Sequence, residues 1–403
     1  MIKFFLKNTR LYKPLTKVYD IINYNRIFII TCLKLLSIKK NNKVYFFFPF
    51  YHTGGAEKVH LDIINSIEIP KVIIFTNDSS NNALLKQFNQ KCKCLEINIF
   101  IKDKTSLHYK LTLNLIKNKI NNTSKSSTFG CHSLFYYELI PLLNKNIKTI
   151  DLIHAFTGLN EPGFEKISLP FISHLKKRIT INSKTKNDLI SLYKQKEIPD
   201  SEIEKIEIIQ NKINNINQKL YDKPNDSFTL IYLGRNSPEK RIYLIGRIAK
   251  VVKNKYPNIE ILLVGENLEI GIENECKEYC NFTGRIDDTE ILNKLYVKSH
   301  LVIITSEREG FPMVFMEGMI NGTVPITTNV GGIPEHIINN QNGIIINNDL
   351  SESELINEFC EKILLMYENR KRLSILSLSA FEYAKNCFSE NEFNERYNTL
   401  LNK

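Results

Sequence analysis

Short apolar runs and longer stretches of helical spacing alternate along most of the chain. A strand buried on both faces reads as an unbroken apolar run, whereas an amphipathic helix repeats its apolar residues every three to four positions. Val44 to Phe48 is the first such run. It is followed by a polar loop, Pro49 to Ala56, and by Glu57 to Ile67, whose Val59, Ile63, Ile64 and Ile67 keep helical spacing. On the same grounds the sequence predicts further strands over 72–75, 94–99, 127–130, 148–153, 178–181 and 207–210, and helices over 82–90, 107–120, 133–143 and 183–193. A polar run rich in Asn and Lys, 211–227, interrupts the pattern. A second alternation then predicts strands over 229–233, 259–264, 301–304, 324–327 and 343–346, with helices over 242–255, 291–296, from about Pro312, and from Ser351 onward. Ser389 and Glu392 form a capping-box pattern ahead of a last helix.

Alternation of this kind builds α/β domains on parallel sheets, and 403 residues suffice for two. The expected division is a basic amphipathic extension over 1–40, a first Rossmann-like domain over 41–215, a linker over 216–227, a second Rossmann-like domain over 228–385, and a C-terminal helix, 386–403, returning to the first domain. The two doubly wound domains are expected to face one another across a cleft.

One stretch, Thr305 to Pro325, gathers the chemistry. It leaves the apolar run 301–304, turns through Gly310-Phe311-Pro312 and enters a helix, with Glu309 before the turn and Glu317 one turn inside. Proline suits a helix start because its missing N–H is an orphan there. The free N–H groups of Met313 and Val314 are then expected at the C-terminal edge of the sheet, where open α/β sheets bind ligands and a helix start suits an anion.

Charge sharpens this. Residues 1–223 carry 35 Lys and Arg against 18 Asp and Glu, and residues 224–403 carry 19 against 25, so a net +17 precedes a net −6. A basic first half suits an anionic substrate or surface. Residues 1–40 hold nine basic residues and one acid among interleaved apolar ones. Their longest apolar stretch, Ile27 to Leu36, contains Lys34 and falls short of the ~20 residues of a membrane span. It reads as an amphipathic segment on an anionic membrane surface, or as a helical extension packed on the domain. The basic residues are dispersed and show no recognition motif, so no nucleic-acid partner is expected. The eight cysteines lack paired CxxC spacing, so neither zinc nor disulfides are expected. No cleavable secretory signal is legible, which leads to an expected cytoplasmic location, peripheral on the inner membrane face if residues 1–40 bind there.

Five motifs in order carry a family resemblance: Gly54-Gly55-Ala-Glu-Lys-Val59, Gly234-Arg235 through Glu239-Lys240, Phe282-Thr-Gly284-Arg285, Glu309-Gly-Phe-Pro through Glu317, and Val330-Gly-Gly-Ile-Pro-Glu335. From about residue 43 onward the chain resembles the retaining glycosyltransferases of family 4, which have the GT-B architecture of two facing Rossmann-like domains. The resemblance implies transfer of a hexose from a UDP- or GDP-sugar to a cell-surface glycan or lipid-linked acceptor, of lipopolysaccharide, capsule or exopolysaccharide type, by departure and attack on one face of the sugar. It implies that Glu309 contacts donor-sugar hydroxyls, that Glu317 accepts hydrogen bonds from the ribose, and that His154, at the end of a first-half strand, contacts the donor sugar. Gly310, Phe311, Gly284, Arg285 and Gly55 join the expected donor site. Gly54, His132 and Tyr136 are expected on the acceptor side. Two carboxylates by themselves also fit a glycosidase pair.

Physical chemistry supplies the remaining roles. Arg235 and Lys240 lie on one turn and could stabilise a diphosphate leaving group, Arg as a bidentate fork and Lys as a point charge. With the Met313 and Val314 N–H groups they could replace a divalent metal. Asp287-Asp288 are adjacent and do not make an Asp-x-Asp, so no metal or cofactor is expected. Two positions depart from the family pattern: Ala155, where Asp or Gly is usual, and Arg241, where Gly is usual. The competing readings are a soluble disaccharide or glycogen-type synthase and a catalytically inactive, transferase-like scaffold.

Overall fold

The computed structural model describes residues 12–38, 44–52, 54–123, 125–157, 163–213 and 219–402. Residues 1–11 and 39–40 of the expected extension, Gly158, and residues 216–218 of the expected linker lie outside the described residues.

The apolar runs form two parallel sheets. The first holds β1 (Val44–Phe48), β2 (Lys71–Phe75), β3 (Lys93–Glu96), β4 (Ser127–Cys131), β5 (Lys148–Ile153), β6 (Lys177–Thr180) and β7 (Ile206–Ile208), in the order β3-β2-β1-β4-β5-β6-β7. The second holds β8 (Phe228–Leu233), β9 (Ile259–Val264), β10 (Asn281–Gly284), β11 (Leu301–Ile304), β12 (Val324–Thr328) and β13 (Ile344–Ile346), in the order β10-β9-β8-β11-β12-β13. Both orders are doubly wound, and each reverses direction between its first and fourth strands. The chain therefore has two Rossmann-like α/β domains.

Strand residues explain why both faces are covered. Successive side chains point to opposite faces. In β1, Phe46 and Phe48 meet Phe129 on one side, while Phe47 meets Phe135 and Tyr136 on the other. In the second sheet, Leu301 and Ile303 join a core with the helices Ile242–Lys255 and Glu352–Glu368, while Val302 and Ile304 join one with the helices Met313–Met319 and Arg370–Cys387.

The contacts of the chain divide it into two compact units that differ from the expected boundaries. One takes Met1–Leu152, Ile167–Arg178 and Leu401–Lys403, and the other takes Ile153–Lys166 and Ile179–Leu400. Residues 179–213 thus group with the second unit, although β7 is a strand of the first sheet. The cause is local bonding: Glu335 accepts from the amides of Ser183 and Lys184, at 2.8 and 2.5 Å, and Ile213 N donates to Phe388 O at 3.2 Å. The last helix, Glu390–Asn402, begins at Ser389, whose hydroxyl accepts from Glu392 N at 3.3 Å. Of this helix, Leu401 groups with the first unit and its carbonyl accepts from Ser127 Oγ at 3.3 Å. A helix over Tyr12–Leu36 belongs to the first unit.

Two expected elements differ in detail. The strand expected over 94–99 ends at Glu96 and gives way to a 3-10 turn, Asn98–Phe100. Phe282 to Gly284, expected as a turn motif, lies in the edge strand β10, which has no apolar run because much of it stays exposed.

Candidate active site

The loops after β8 and β11 leave neighbouring parallel strands at the point where the order of the second sheet reverses. Backbone and side-chain bonds stitch these two loops together. Glu307 N donates to Glu239 O at 2.9 Å, and Thr305 Oγ1 donates to the carbonyls of Lys240 and Arg241 at 3.0 and 3.1 Å. The result brings Lys240 Nζ to 2.6 Å from Glu309 Oε1, and the Ser306 hydroxyl donates to the same oxygen at 2.7 Å. Glu309 is 9% exposed and Lys240 21%, so the pair is shielded on most sides yet reachable. Arg235 is on the same turn but 72% exposed, 4.0 Å from Glu239. It is poised outside rather than built into the pair.

Arg241 explains its own departure from the glycine pattern. Its backbone is left-handed, at φ 47° and ψ 44°, a conformation that suits glycine. The side chain is buried and clamps the end of β11. Nε donates to Thr305 O at 2.7 Å, and Nη2 donates to Ser306 O at 3.1 Å and to Asn348 Oδ1 at 2.6 Å.

Gly310 follows Glu309 and lies against the strand-end residue His154. A Cβ added to Gly310 would meet the His154 carbonyl at 2.6 Å, so only glycine permits this approach. Gly332 N closes the loop by donating to Gly310 O at 2.7 Å. Gly331, at φ +57°, turns its α-carbon toward the Glu309 carbonyl, leaving no room for a side chain. The glycines of the Val330 to Glu335 motif therefore wrap the Glu309 loop, while its Glu335 caps the helix Ser183–Gln195.

The helix Met313–Met319 begins at Pro312, its N-cap, with no side-chain cap. Met313 and Val314 are half-buried in its first turn. Phe311 turns inward instead. It is 6% exposed, with its ring 4.3 Å from that of His336 and 5.6 Å from that of Phe388, so it supports the loop from the core rather than offering a surface to a ligand. Glu317 is half-buried, and its Oε2 accepts from the hydroxyl of the buried Tyr296 at 3.1 Å. The carbonyls at the C-termini of the Tyr296 and Glu317 helices converge on Lys223. Its ammonium donates to Tyr296 O, Val297 O and Asn321 O at 2.9, 3.1 and 2.8 Å, and to Thr323 Oγ1 at 3.2 Å. Burial pulls the Lys223 pKa down to about 7, against these acceptors, which favour the charged form. Gly284 has φ +70°, and Arg285 Nε is 2.9 Å from Asp287 Oδ1.

Four expected residues belong to the first unit. Gly54 is the N-cap of the helix Gly55–Asn65, and the bare α-carbon of Gly54 leaves room for the Glu57 carboxylate. His132 follows β4 with a left-handed backbone, φ 47°, and burial pulls its pKa down to about 4. Tyr136 is not an acceptor-side residue. It is fully buried, its hydroxyl donates to Ile150 O at 2.7 Å and accepts from Ile150 N at 3.0 Å, and its ring packs on Gly130 and Phe47. The helix Leu134–Leu139, capped by Ser133, turns Tyr136 toward the sheet.

Residues 214–376 match the family model Glycosyl transferases group 1. The second sheet, with Lys240, Glu309 and Glu317, falls within the matched residues. A capsular polysaccharide biosynthesis glycosyltransferase of Staphylococcus aureus, CapM, is 24% identical over 209 residues, 50% of this chain and 53% of that protein. A trehalose synthase of Pyrococcus horikoshii is 26% identical over 212 residues, 49% of each. The chain thus spans about half the length of these curated relatives. In fold, the chain is similar to the Anabaena protein HepE, crystallised in complex with UDP, with a TM-score of 0.68 at 16% identity, over 88% of this chain and 98% of that one.

Sequence reasoning singled out Arg241, because it replaces a glycine, but did not name Ser306, Tyr296 or Lys223. Ser306 lies three residues from Glu309, inside the stretch Thr305 to Pro325. Tyr296 and Lys223 act through contacts with residues distant in sequence and left no signal.

Proposed function

We propose that the chain is a retaining, metal-independent glycosyltransferase that moves a hexose from a UDP- or GDP-sugar to a cell-surface glycan or lipid-linked acceptor, at an anionic membrane surface. The observation that carries this reading is the Lys240–Glu309 pair, 2.6 Å apart at the reversal point of the second sheet. The Lys240 ammonium, with two protons left after its bond to Glu309, and the exposed Arg235 guanidinium supply positive charge where a diphosphate would leave. Ser306 and Lys240 hold the Glu309 carboxylate ready to accept from sugar hydroxyls, and Tyr296 holds Glu317 ready for a ribose. The bond from the anomeric carbon to the diphosphate breaks, the acceptor oxygen bonds to the same face of that carbon, and the acceptor proton passes to the released diphosphate. Retention follows from the family resemblance, and His154 beside Gly310 is assigned to the donor sugar. The similarity to CapM and the UDP bound by HepE support a nucleotide-sugar donor and a polysaccharide acceptor.

The test is a screen of UDP- and GDP-sugars by thermal shift and sugar release, with and without EDTA. One nucleotide raises the melting temperature, and its sugar is released equally with EDTA. No response to any nucleotide would overturn the transferase reading, and loss with EDTA would overturn metal independence. The similarity to a trehalose synthase favours a second reading, synthesis of a soluble disaccharide, which predicts transfer to free glucose.

A further inference from the structure

The helix Tyr12–Leu36 has two faces of opposite character. One packs on the first unit. Tyr24 and Phe28 set their rings 5.4 and 5.0 Å from that of Phe100 and 4.8 and 4.7 Å from that of His108, and Thr31 and Leu35 are buried. Asn25 Oδ1 bonds His108 Nε2 at 3.0 Å, and Lys93 and Lys119 donate to the carbonyls of Lys34 and Leu36 at the helix end. The packed face is thus bonded at its middle and its end.

The opposite face is apolar and open. Ile22, Ile29, Leu33 and Leu36 are 62, 57, 60 and 61% exposed, and their spacing of seven, four and three places them on one stripe. A surface stripe of a soluble helix would ordinarily be polar. On the helix Leu107–Asn121, Leu107 and Leu111 flank His108 and are also exposed. Charge accompanies the stripe. Residues 12–36 hold Lys13, Lys17, Arg26 and Lys34 against Asp20 alone. Among the described residues, no helix is long and apolar enough to cross a membrane.

We propose that this stripe lies in the plane of an anionic bilayer, with Ile22, Ile29, Leu33 and Leu36 among the acyl chains and Arg26 and Lys34 at the headgroups. Apolar area and cationic charge on one short helix add in such binding. A second copy of the chain would use the apolar stripe but would be repelled by a net charge of the same sign, so the charge selects the lipid. This assigns the face that meets the membrane surface in the reading above, and it stands apart from the sugar chemistry.

Flotation of the full chain with vesicles tests it. Wild type is expected to float with vesicles containing phosphatidylglycerol and not with phosphatidylcholine alone, and to be released by high salt. The double variant Ile29→Asp, Leu33→Asp changes only exposed positions, and is expected to bind phosphatidylglycerol vesicles about tenfold or more weakly. Its release of sugar from the nucleotide donor, measured without vesicles, should match wild type, which separates a failed membrane face from a failed transferase. Equal flotation of the variant, or no flotation of wild type, would overturn the proposal. So would light scattering showing a wild-type dimer that the variant breaks.

Discussion

Arg241 donates from Nη2 to the Ser306 carbonyl at 3.1 Å, and the Ser306 hydroxyl donates to Glu309 at 2.7 Å. A buried guanidinium thus sits one residue away from the carboxylate that the site is built around, on a backbone conformation that costs a side chain roughly 1–2 kcal/mol. Arg241→Ala removes the clamp and keeps the strain, whereas Arg241→Gly removes both. Urea unfolding is expected to rank Arg241→Gly above Arg241→Ala by about 1 kcal/mol. Transfer should fall about equally in the two, because both leave the Thr305 carbonyl without its donor and the Ser306 carbonyl with Thr328 Oγ1 alone. The reverse ranking would sink this account of the turn.

Breaking the ion pair should separate function from folding. Lys240→Ala and Glu309→Gln each remove one partner at a position still open to water, so circular dichroism and melting temperature should stay near wild type. Transfer is expected to drop about a hundredfold or more in each. Near-normal transfer in both would reject the assignment of the pair.

Tyr296 touches no ligand in this reading and acts through Glu317. Tyr296→Phe keeps the buried ring and deletes one hydrogen bond, worth about 1 kcal/mol. The KM for the donor should rise about fivefold, with kcat little changed. A fall in kcat at constant KM would place Glu317 somewhere other than the ribose.

Acid should loosen the second sheet. His300 Nδ1 accepts from Thr229 N at 3.1 Å and Nε2 meets Pro224 O at 2.9 Å, which fixes a neutral imidazole with the proton on Nε2. Burial pulls its pKa from 6.5 to about 4, and burial does the same for His336. Between pH 6.5 and 4 the unfolded chain therefore binds protons that the folded chain refuses. The stability contributed by each group is complete above pH 6.5 and is lost as pH falls toward 4, by at most about 1.4 kcal/mol per pH unit for each. Urea midpoints measured from pH 7.5 to 4.5 should fall accordingly, and more shallowly in His300→Gln.

The strands were legible because parallel strands covered on both faces must be apolar throughout, as in Val44 to Phe48 and Leu301 to Ile304. The edge strand β10 was not, because an edge can stay polar and exposed. Arg235, Lys240, Glu309 and Glu317 could be named from the motifs that carry the family resemblance, and each lies a few residues past a strand or inside the next helix. Tyr136 was misplaced because the sequence marks it as helical without saying which side faces the sheet. Tyr296 and Lys223 stayed hidden because their partners lie 21 and 73 or more residues away. The boundary expected at 215 followed composition; it keeps β7 with the first sheet, and composition does not register that Glu335 bonds Ser183 across 152 residues.

That bond bears on how such a chain can be dissected. A second half cut at the polar run, starting at residue 219, would carry Glu335 without the amides it caps and Phe388 O without Ile213. The unit that holds both partners is discontinuous in sequence, 153–166 with 179–400. Chimeras that exchange first halves at the linker would therefore import a foreign helix where Glu335 expects its own. A crossover that keeps Glu335 with those amides lies upstream of Ser183 and takes β7 of the first sheet with it.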